Sequence, residues 1–213
     1  PLPPAFMRAA RELCDRYDGL LIADEIQCGM GRTGKYFAFE HYGVKPDVIT
    51  LAKSLAAGYP LGAMLCNARV AESLKPGDHG TTFGGGPLAC RLALEVLDVI
   101  EQDGLVARVE DLGKYLVKGL KGLSSRHRLI GEIRGMGLMI GIQIGSQAKD
   151  IVNRLLNKGI ITNAAHETVL RLLPPFIIAR ENIDVFLSTL DDVLGEVESA
   201  AEGKQTSQES AYA

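Results

Sequence analysis

The chain has 213 residues, of which 46% are hydrophobic, enough to form one large domain or two small ones. Its formal net charge of −3 argues against a nucleic-acid partner or an anionic membrane surface. No signal peptide is visible, and the longest apolar stretches are shorter than the ~20 residues of a membrane span. The cysteines form no C-x-x-C pair, a pattern typical of reduced, buried thiols in a cytoplasmic protein: Cys14, Cys28, Cys66 and Cys90.

The first residues predict an amphipathic helix. Phe6, Ala10, Leu13 and Tyr17 follow the spacing of one helical face, directly after a proline-rich start. The chain has no initiator methionine before this helix, and we therefore expect it to be part of a longer protein.

Two short apolar runs, residues 20–23 and 48–52, predict buried strands that are followed by Asp24 and Lys53. Ligands of an open α/β sheet bind outside the carboxyl ends of its strands, so these two side chains would share one crevice. Pyridoxal phosphate requires an amine to hold its aldehyde as a Schiff base and an acid to keep its pyridine nitrogen protonated. The pair therefore predicts a pyridoxal-phosphate site.

The rest of the first half predicts a third strand and two long helices. Only about nine residues connect the second strand to the run at 62–66, so this third strand is expected to be antiparallel or at one edge of the sheet. Residues 87–102 carry two adjacent apolar stripes, which predict a buried helix. Residues 104–124 carry a single stripe, formed by Leu105, Val109, Leu112, Leu116, Leu120 and Leu123.

The second half predicts a smaller α/β unit. We expect strands at residues 130–134, 138–144, 160–162 and 169–173, and helices at 147–157 and 181–198. The predicted organisation is a first unit over 1–104, a connecting helix over 105–125, a small domain over 126–199 and a disordered tail over 200–213.

The glycine-rich loop at residues 29–34 leaves a different class of function open. It matches a dinucleotide-binding fingerprint, but Asp47 precedes a strand where that motif needs an acid at a strand end. It also resembles a Walker A loop, but Tyr36 occupies the position of the Mg²⁺-binding Ser or Thr. An ATPase is therefore an alternative with weaker support than the pyridoxal-phosphate site.

Other polar residues have both structural and functional interpretations. Thr82 is either a turn residue or a phosphate donor, and Arg171 is either a structural ion-pair partner or an anion binder. The four histidines have no metal-ligand spacing, so no metal site is predicted. His41 and His127 are interpreted as surface residues.

Four segments resemble the class III aminotransferases, which are pyridoxal-phosphate enzymes of fold type I. In chain order these segments are LLIADEIQCGMGRTGKYFAFEHYGVKPDVITLAKSLAAGYPLGAM, HGTTFGGGPLAC, RGMGLMIG and VLRLLPP. The second and fourth are most similar to the acetylornithine aminotransferases of that family. The resemblance covers residues 1–198 and implies the second half of a large α/β domain with a mostly parallel sheet, followed by a small C-terminal α/β domain.

The resemblance also implies individual roles at the cofactor. Lys53 would form the Schiff base, and Asp24 would pair with the pyridinium nitrogen. Gln27 would hydrogen-bond the phenolic oxygen, and Ile26 would pack on one face of the ring. Thr82 would reach the phosphate of the cofactor held mainly by the other subunit, in a homodimer with its active site at the interface.

The implied reaction moves an amino group from N-acetylornithine, or a related ω-amino acid, to 2-oxoglutarate, with Arg171 holding the substrate α-carboxylate. Alternatives are an ornithine, 4-aminobutyrate or succinyldiaminopimelate aminotransferase, glutamate-semialdehyde aminomutase, or a truncated chain that only folds and dimerises. The family usually has Asn where this chain has Gly86. Its upstream half supplies the main phosphate loop, so the isolated chain is expected to be inactive.

Overall fold

The computed structural model describes the backbone of residues 1–211 and the side chains of residues 1–200. Its contacts divide the chain into two compact units, Pro1–Glu110 and Asp111–Ala213. Both units combine helices with a β-sheet, which confirms the predicted α/β class. The four predicted domain limits stay a prediction.

A three-stranded sheet is the centre of the first unit. Strand β1 (Ile22–Asp24) is parallel to β2 (Val48–Leu51), and β3 (Ala63–Cys66) is antiparallel to β2 at the opposite edge. The short connection between β2 and β3 predicted this reversal of direction. Because β1 and β2 are parallel neighbours, their carboxyl ends lie at the same edge of the sheet.

The helices that begin in the first unit are α1 (Pro4–Arg16), α2 (Ala68–Ser73), α3 (Pro87–Gln102) and α4 (Leu105–Ser124). Of these, α1 and α3 bury less apolar surface than their patterns predict. The prediction that α3 is buried over a wide face is wrong, because Leu88 and Val99 of one predicted stripe are exposed, whereas Ala89, Ala93 and Ile100 of the other are buried. Periodicity shows which side of a helix is apolar but not whether another element covers it. The apolar face of α1 is likewise exposed.

A buried carboxylate fixes the amino-terminal ends of β1 and β2. Asp47 accepts hydrogen bonds from Arg11 at 2.7 Å, from the backbone amide of Leu21 at 2.8 Å and from Asn67 at 2.8 Å. The hydrogen bond from Arg11 and that from the Leu21 amide lower the pKa of Asp47 below its ordinary value, against the effect of burial. This cluster links α1, both parallel strands and the start of α2, and so holds the strand register that positions the opposite edge.

An antiparallel sheet of four strands forms the second unit. Its elements are, in chain order, β4 (Ile133–Met136), β5 (Met139–Gln143), α5 (Ala148–Asn157), β6 (Asn163–Ala165), β7 (Val169–Leu172) and α6 (Arg180–Ala211). The strands lie in the order β4-β5-β7-β6, and helices α5 and α6 follow β5 and β7 in the sequence. Strands β4 and β6 begin three residues later than predicted.

The predicted stripe of α4 is confirmed, because all six of its side chains are buried. Helix α6 extends to Ala211, whereas an irregular tail was predicted from residue 200. The side chains of residues 201–213 lie outside the described residues, so disorder of the tail stays a prediction. No helix in the described part of the chain is long and apolar enough to cross a membrane.

Expectations about two histidines and about the cysteines differ from the structure. His127 is buried between two carboxylates rather than lying at the surface, and His41 is half-buried with its Nε2 3.1 Å from the Thr33 carbonyl. The four cysteines are free, but they are not all buried, since Cys90 is exposed and the other three are partly covered.

Candidate active site

Asp24 and Lys53 lie at the same edge of the first sheet. Asp24 is the last residue of β1 and pairs with Thr50 of β2 in the parallel register. Lys53 comes two residues after the end of β2 at Leu51. Both side chains are exposed at this edge, where ligands of α/β sheets bind. The strands therefore place a carboxylate and an amine at one edge of the sheet, and their pairing around a cofactor stays a prediction.

The Asp24 carboxylate is oriented by its own turn. Its Oδ1 accepts a hydrogen bond from the backbone amide of Ile26 at 3.1 Å and from the hydroxyl of Thr50 at 3.4 Å. A side chain that bonds the backbone two residues later is typical of turns that begin with aspartate. The same turn carries the half-buried Ile26 and the exposed Gln27. These three candidate cofactor residues thus belong to one short segment.

Glu25, which the sequence analysis did not single out, holds this segment from the opposite side. It is only 3% exposed, and its two carboxylate oxygens accept the backbone amides of Ala38 and Phe39, each at 2.9 Å. Cys28 Sγ also donates to it at 3.2 Å, and burial together with this hydrogen bond raises the pKa of Cys28 to about 12. Successive side chains of a strand point to opposite faces, so with Asp24 exposed the next residue, Glu25, is expected to be buried. This alternation was the sequence signal that could have identified Glu25.

The glycines of residues 29–34 serve packing within the loop. A Cβ atom at Gly29 would lie 2.7 Å from the carbonyl oxygen of Glu25, so a larger residue would displace the anchored acid. The amide of Gly31 donates to the carbonyl of Tyr36, and that of Gly34 donates to Gly31. A phosphate-binding loop needs such amides to face its ligand. The loop geometry therefore disfavours the nucleotide-binding alternative.

Lys53 has an unusual backbone conformation. Its φ of 50° lies in the left-handed region, which favours glycine over residues with a side chain. The residue opens a short 3₁₀ turn, Lys53–Ala56, that is anchored by the buried Leu55 and Ala56. Such a conformation costs about 1–3 kcal/mol and persists where the surrounding structure enforces it, often at functional sites.

Thr82 lies in the exposed loop that precedes α3, away from the turn that carries Asp24 along the chain. The loop is braced by Thr81, whose hydroxyl accepts the amide of Gly84 at 3.3 Å. Gly86 is the N-cap residue of α3 and makes no side-chain capping bond, which follows from its lack of a side chain. Substituting a good capping residue by glycine costs only a few tenths of a kcal/mol, so α3 forms without it.

Arg171 belongs to the second unit, on the central strand β7. Its Nε donates to the side-chain oxygen of Asn163 on β6 at 3.1 Å, so this partner is a neutral amide rather than an acid. Arg171 and Asn163 line a cavity of about 610 Å³, together with the two prolines that follow β7. The partner described for Arg171 is thus not the acid of a structural ion pair, and its anion-binding role stays a prediction.

The first sheet defines an α/β domain with an amine and a carboxylate at the ligand-binding edge, the donor set that pyridoxal phosphate requires. Comparison with known proteins agrees: the family model for aminotransferase class-III matches residues 1–194. The chain belongs to the class III aminotransferase family, whose members are pyridoxal-phosphate-dependent. The described residues contain no group of three or more His, Cys, Asp or Glu that could hold a metal ion.

Similar proteins come from bacteria, archaea and protozoa. The chain is 48% identical to acetylornithine aminotransferase of Methanocaldococcus jannaschii, over 90% of this chain and 48% of that protein. It is 46% identical to ornithine aminotransferase 1 of Staphylococcus aureus strain MRSA252, again over 90% and 48%. The chain thus spans about half the length of the curated relatives it matches.

Solved structures have the same fold. The ornithine aminotransferase of Toxoplasma gondii superposes with a TM-score of 0.87 at 38% identity, over 93% of this chain and 48% of that one. The acetylornithine aminotransferase of Elizabethkingia anophelis gives 0.85 at 36% identity, over 91% and 50%. Another structure of the Toxoplasma gondii enzyme has its active site partly occupied by PLP.

Proposed function

We propose that this chain contributes the lysine-bearing part of an enzyme that transfers an amino group from N-acetylornithine, or a related ω-amino acid, to 2-oxoglutarate. The observation that carries the proposal is the placement of Asp24 and Lys53 at the carboxyl edge of the parallel pair β1–β2. The similar proteins named acetylornithine and ornithine aminotransferases support the choice of donor class.

Pyridoxal phosphate, when bound, supplies an electron sink for the charge that develops on the substrate carbon. Asp24 would hold a proton on the pyridine nitrogen and so keep that sink positively charged. At ~4 Å and an effective dielectric constant of ~20, such an ion pair has ~4 kcal/mol of Coulomb energy before desolvation is subtracted. The bonds from Ile26 and Thr50 to Oδ1 restrict the rotation of the carboxylate while Asp24 performs this role.

Lys53 would hold the cofactor aldehyde through Nζ and then, once released, move a proton between the substrate carbon and the cofactor. Both tasks need an amine at a fixed position, because proton transfer depends on heavy-atom separations near 3 Å. The left-handed conformation of Lys53 and the buried residues of its turn fix the start of the side chain. The remaining freedom of the Lys53 side chain would then be rotation about the bonds of its methylene groups.

Three further residues are proposed to complete the cofactor contacts. Gln27 would donate to the phenolic oxygen, and Ile26 would cover one face of the ring. Thr82 would donate to the phosphate of the cofactor held by a second subunit, in a homodimer. Its exposed position in the loop before α3 supports a contact made outside its own unit.

Arg171 is proposed to bind the α-carboxylate of the amino donor and then that of 2-oxoglutarate. A guanidinium forms two parallel hydrogen bonds with a carboxylate, and such charge-assisted bonds are stronger than neutral ones. The neutral partner Asn163 leaves the positive charge of Arg171 available for this purpose.

An ornithine aminotransferase is the second candidate, favoured by the 46% identity to the Staphylococcus aureus enzyme. The test is an amino-donor comparison with the complete protein loaded with cofactor, using N-acetylornithine, ornithine and 4-aminobutyrate with 2-oxoglutarate as acceptor. A kcat/KM at least tenfold higher for N-acetylornithine supports the first candidate, and a preference for ornithine supports the second. Turnover of none of these donors would contradict the proposed class of reaction.

Location in the cytoplasm stays a prediction from the cysteine pattern.

A further inference from the structure

Arg171 lies between two strands that offer it very different neighbours. In the sheet register it pairs with Gly141 of β5 on one side and with Asn163 of β6 on the other. Directly opposed residues of an antiparallel pair project to the same face, so both positions adjoin the guanidinium. Of these two cross-strand neighbours in the described sheet, only Asn163 has a side-chain acceptor.

The hydrogen bond between them uses one particular edge of the guanidinium. Nε of Arg171 donates to Oδ1 of Asn163 at 3.1 Å, and only the oxygen of an amide can accept from a guanidinium. A carboxylate can bind bidentately either to Nε with one terminal nitrogen or to the two terminal nitrogens. With Nε occupied, the end-on pair of terminal nitrogens is the one left for a ligand.

The chemical nature of the partner matters as much as its position. An aspartate here would form an ion pair with Arg171 and compete with any incoming carboxylate. An amide accepts the same hydrogen bond but leaves the guanidinium charge uncompensated. Both residues line the cavity of about 610 Å³, whose other walls are mainly apolar. Asn163 is exposed and Arg171 is half-buried, so an anion from solvent can reach the guanidinium charge.

We propose that Asn163 is a positioning residue for substrate binding, a role that rests on the proposed function of Arg171. It holds the guanidinium through Nε, presents the two terminal nitrogens to the α-carboxylate and preserves the full positive charge. Asn163 is thereby assigned a part in the recognition of both carboxylate substrates without touching either of them.

The test compares steady-state kinetics of Asn163→Asp, Asn163→Leu and Arg171→Ala in the complete protein with cofactor bound. Asn163→Asp keeps the shape and the acceptor but neutralises Arg171, so KM for donor and acceptor should both rise about tenfold or more with kcat within about threefold. Asn163→Leu removes only the orienting bond, and a smaller rise of about threefold is expected. The matched control is Asn153→Asp, the same change at an exposed position on α5, which should leave both KM values within about twofold.

A double-mutant cycle separates positioning from a structural role. In the Arg171→Ala background, Asn163→Asp should have no further effect on KM, because its target is gone. Unchanged KM values for Asn163→Asp, in a protein where Arg171→Ala raises them, would overturn the inference and leave the proposed function intact. Unchanged KM values for Arg171→Ala itself would overturn the carboxylate-binding role of Arg171 and the inference together. A loss of cofactor absorbance or unfolding stability in Asn163→Asp with normal KM would identify a merely structural residue and contradict the proposal.

Discussion

The buried His127 makes the stability of the second unit depend on pH. Its Nδ1 lies 2.8 Å from Glu198 and its Nε2 lies 2.5 Å from Asp191, so the ring is bridged by two carboxylates of α6. Arg126 also pairs with Asp191 at 2.6 Å, and Arg128 interacts electrostatically with Glu198. Burial lowers the pKa of His127, but the hydrogen bonds to the two carboxylates outweigh it and hold that pKa above its ordinary value.

The imidazolium form can donate to both carboxylates, whereas the neutral ring can donate to only one. Each charge-assisted bond contributes ~1.5–3 kcal/mol. Solvent screening at the partly exposed Asp191 and the desolvation of the buried ring both reduce this gain, so we expect a net contribution of ~2 kcal/mol from the bridge. Since the folded pKa is raised, this contribution is complete below the unfolded value of ~6.5 and is lost as pH rises through the folded value. The pKa values of Asp191 and Glu198 are lowered, so the contribution is also lost at strongly acidic pH.

The perturbation that tests this is His127→Gln, measured by urea unfolding between pH 5.5 and pH 9.5. The variant should be less stable by ~2 kcal/mol near pH 6, and the difference should shrink as the pH rises. His79→Gln is the matched control, because His79 is exposed, and this substitution should leave the unfolding free energy unchanged across the pH range. A destabilisation by His127→Gln that is constant across this pH range would refute the protonated bridge.

Three further substitutions test other parts of the account. Asp24→Asn should retain cofactor but lower the transamination rate by ~100-fold or more, because ~3 kcal/mol of transition-state stabilisation is lost with the negative charge. A rate within a few-fold of the parent enzyme would argue against Asp24 facing the pyridine nitrogen. Arg171→Lys should raise KM for donor and 2-oxoglutarate alike, since lysine lacks the bidentate fork, and an effect on one substrate only would exclude a shared carboxylate site. Glu25→Gln should lower the unfolding free energy by ~2–3 kcal/mol, because the side-chain amide nitrogen would face a backbone N–H that now has a carboxylate oxygen as its acceptor. Urea unfolding measures this loss, and Glu12→Gln, at an exposed position, is the control.

The features that the sequence predicted correctly depend on local patterns. The apolar runs before Asp24 and Lys53 located two strands, although the first is not buried as predicted, because Leu20 and Ile22 are exposed. The short connection after the second strand required β3 to reverse direction. The single stripe of α4 predicted a buried helix face, and its side chains are buried. In each case the pattern that allows the prediction lies within one strand, one connection or a few turns of one helix.

The features that it missed depend on partners distant in sequence. His127 is bridged by carboxylates 64 and 71 positions away, which no local pattern indicates. Glu25 is satisfied by backbone amides 13 and 14 positions away, so it was overlooked beside the exposed Asp24. The left-handed backbone of Lys53 has no local sequence signal, because a propensity argument would have expected glycine there.

The central claim is that Lys53 is the amine that holds the cofactor. The complete protein with pyridoxal phosphate should be reduced with borohydride, which makes the linkage permanent, and then digested and mapped by mass spectrometry. The account predicts the adduct on the peptide that contains Lys53, and its loss in Lys53→Arg. Lys35, directly after the glycine-rich loop, is the internal comparison because it is also exposed. An adduct on Lys35, or on any lysine other than Lys53, would contradict the account.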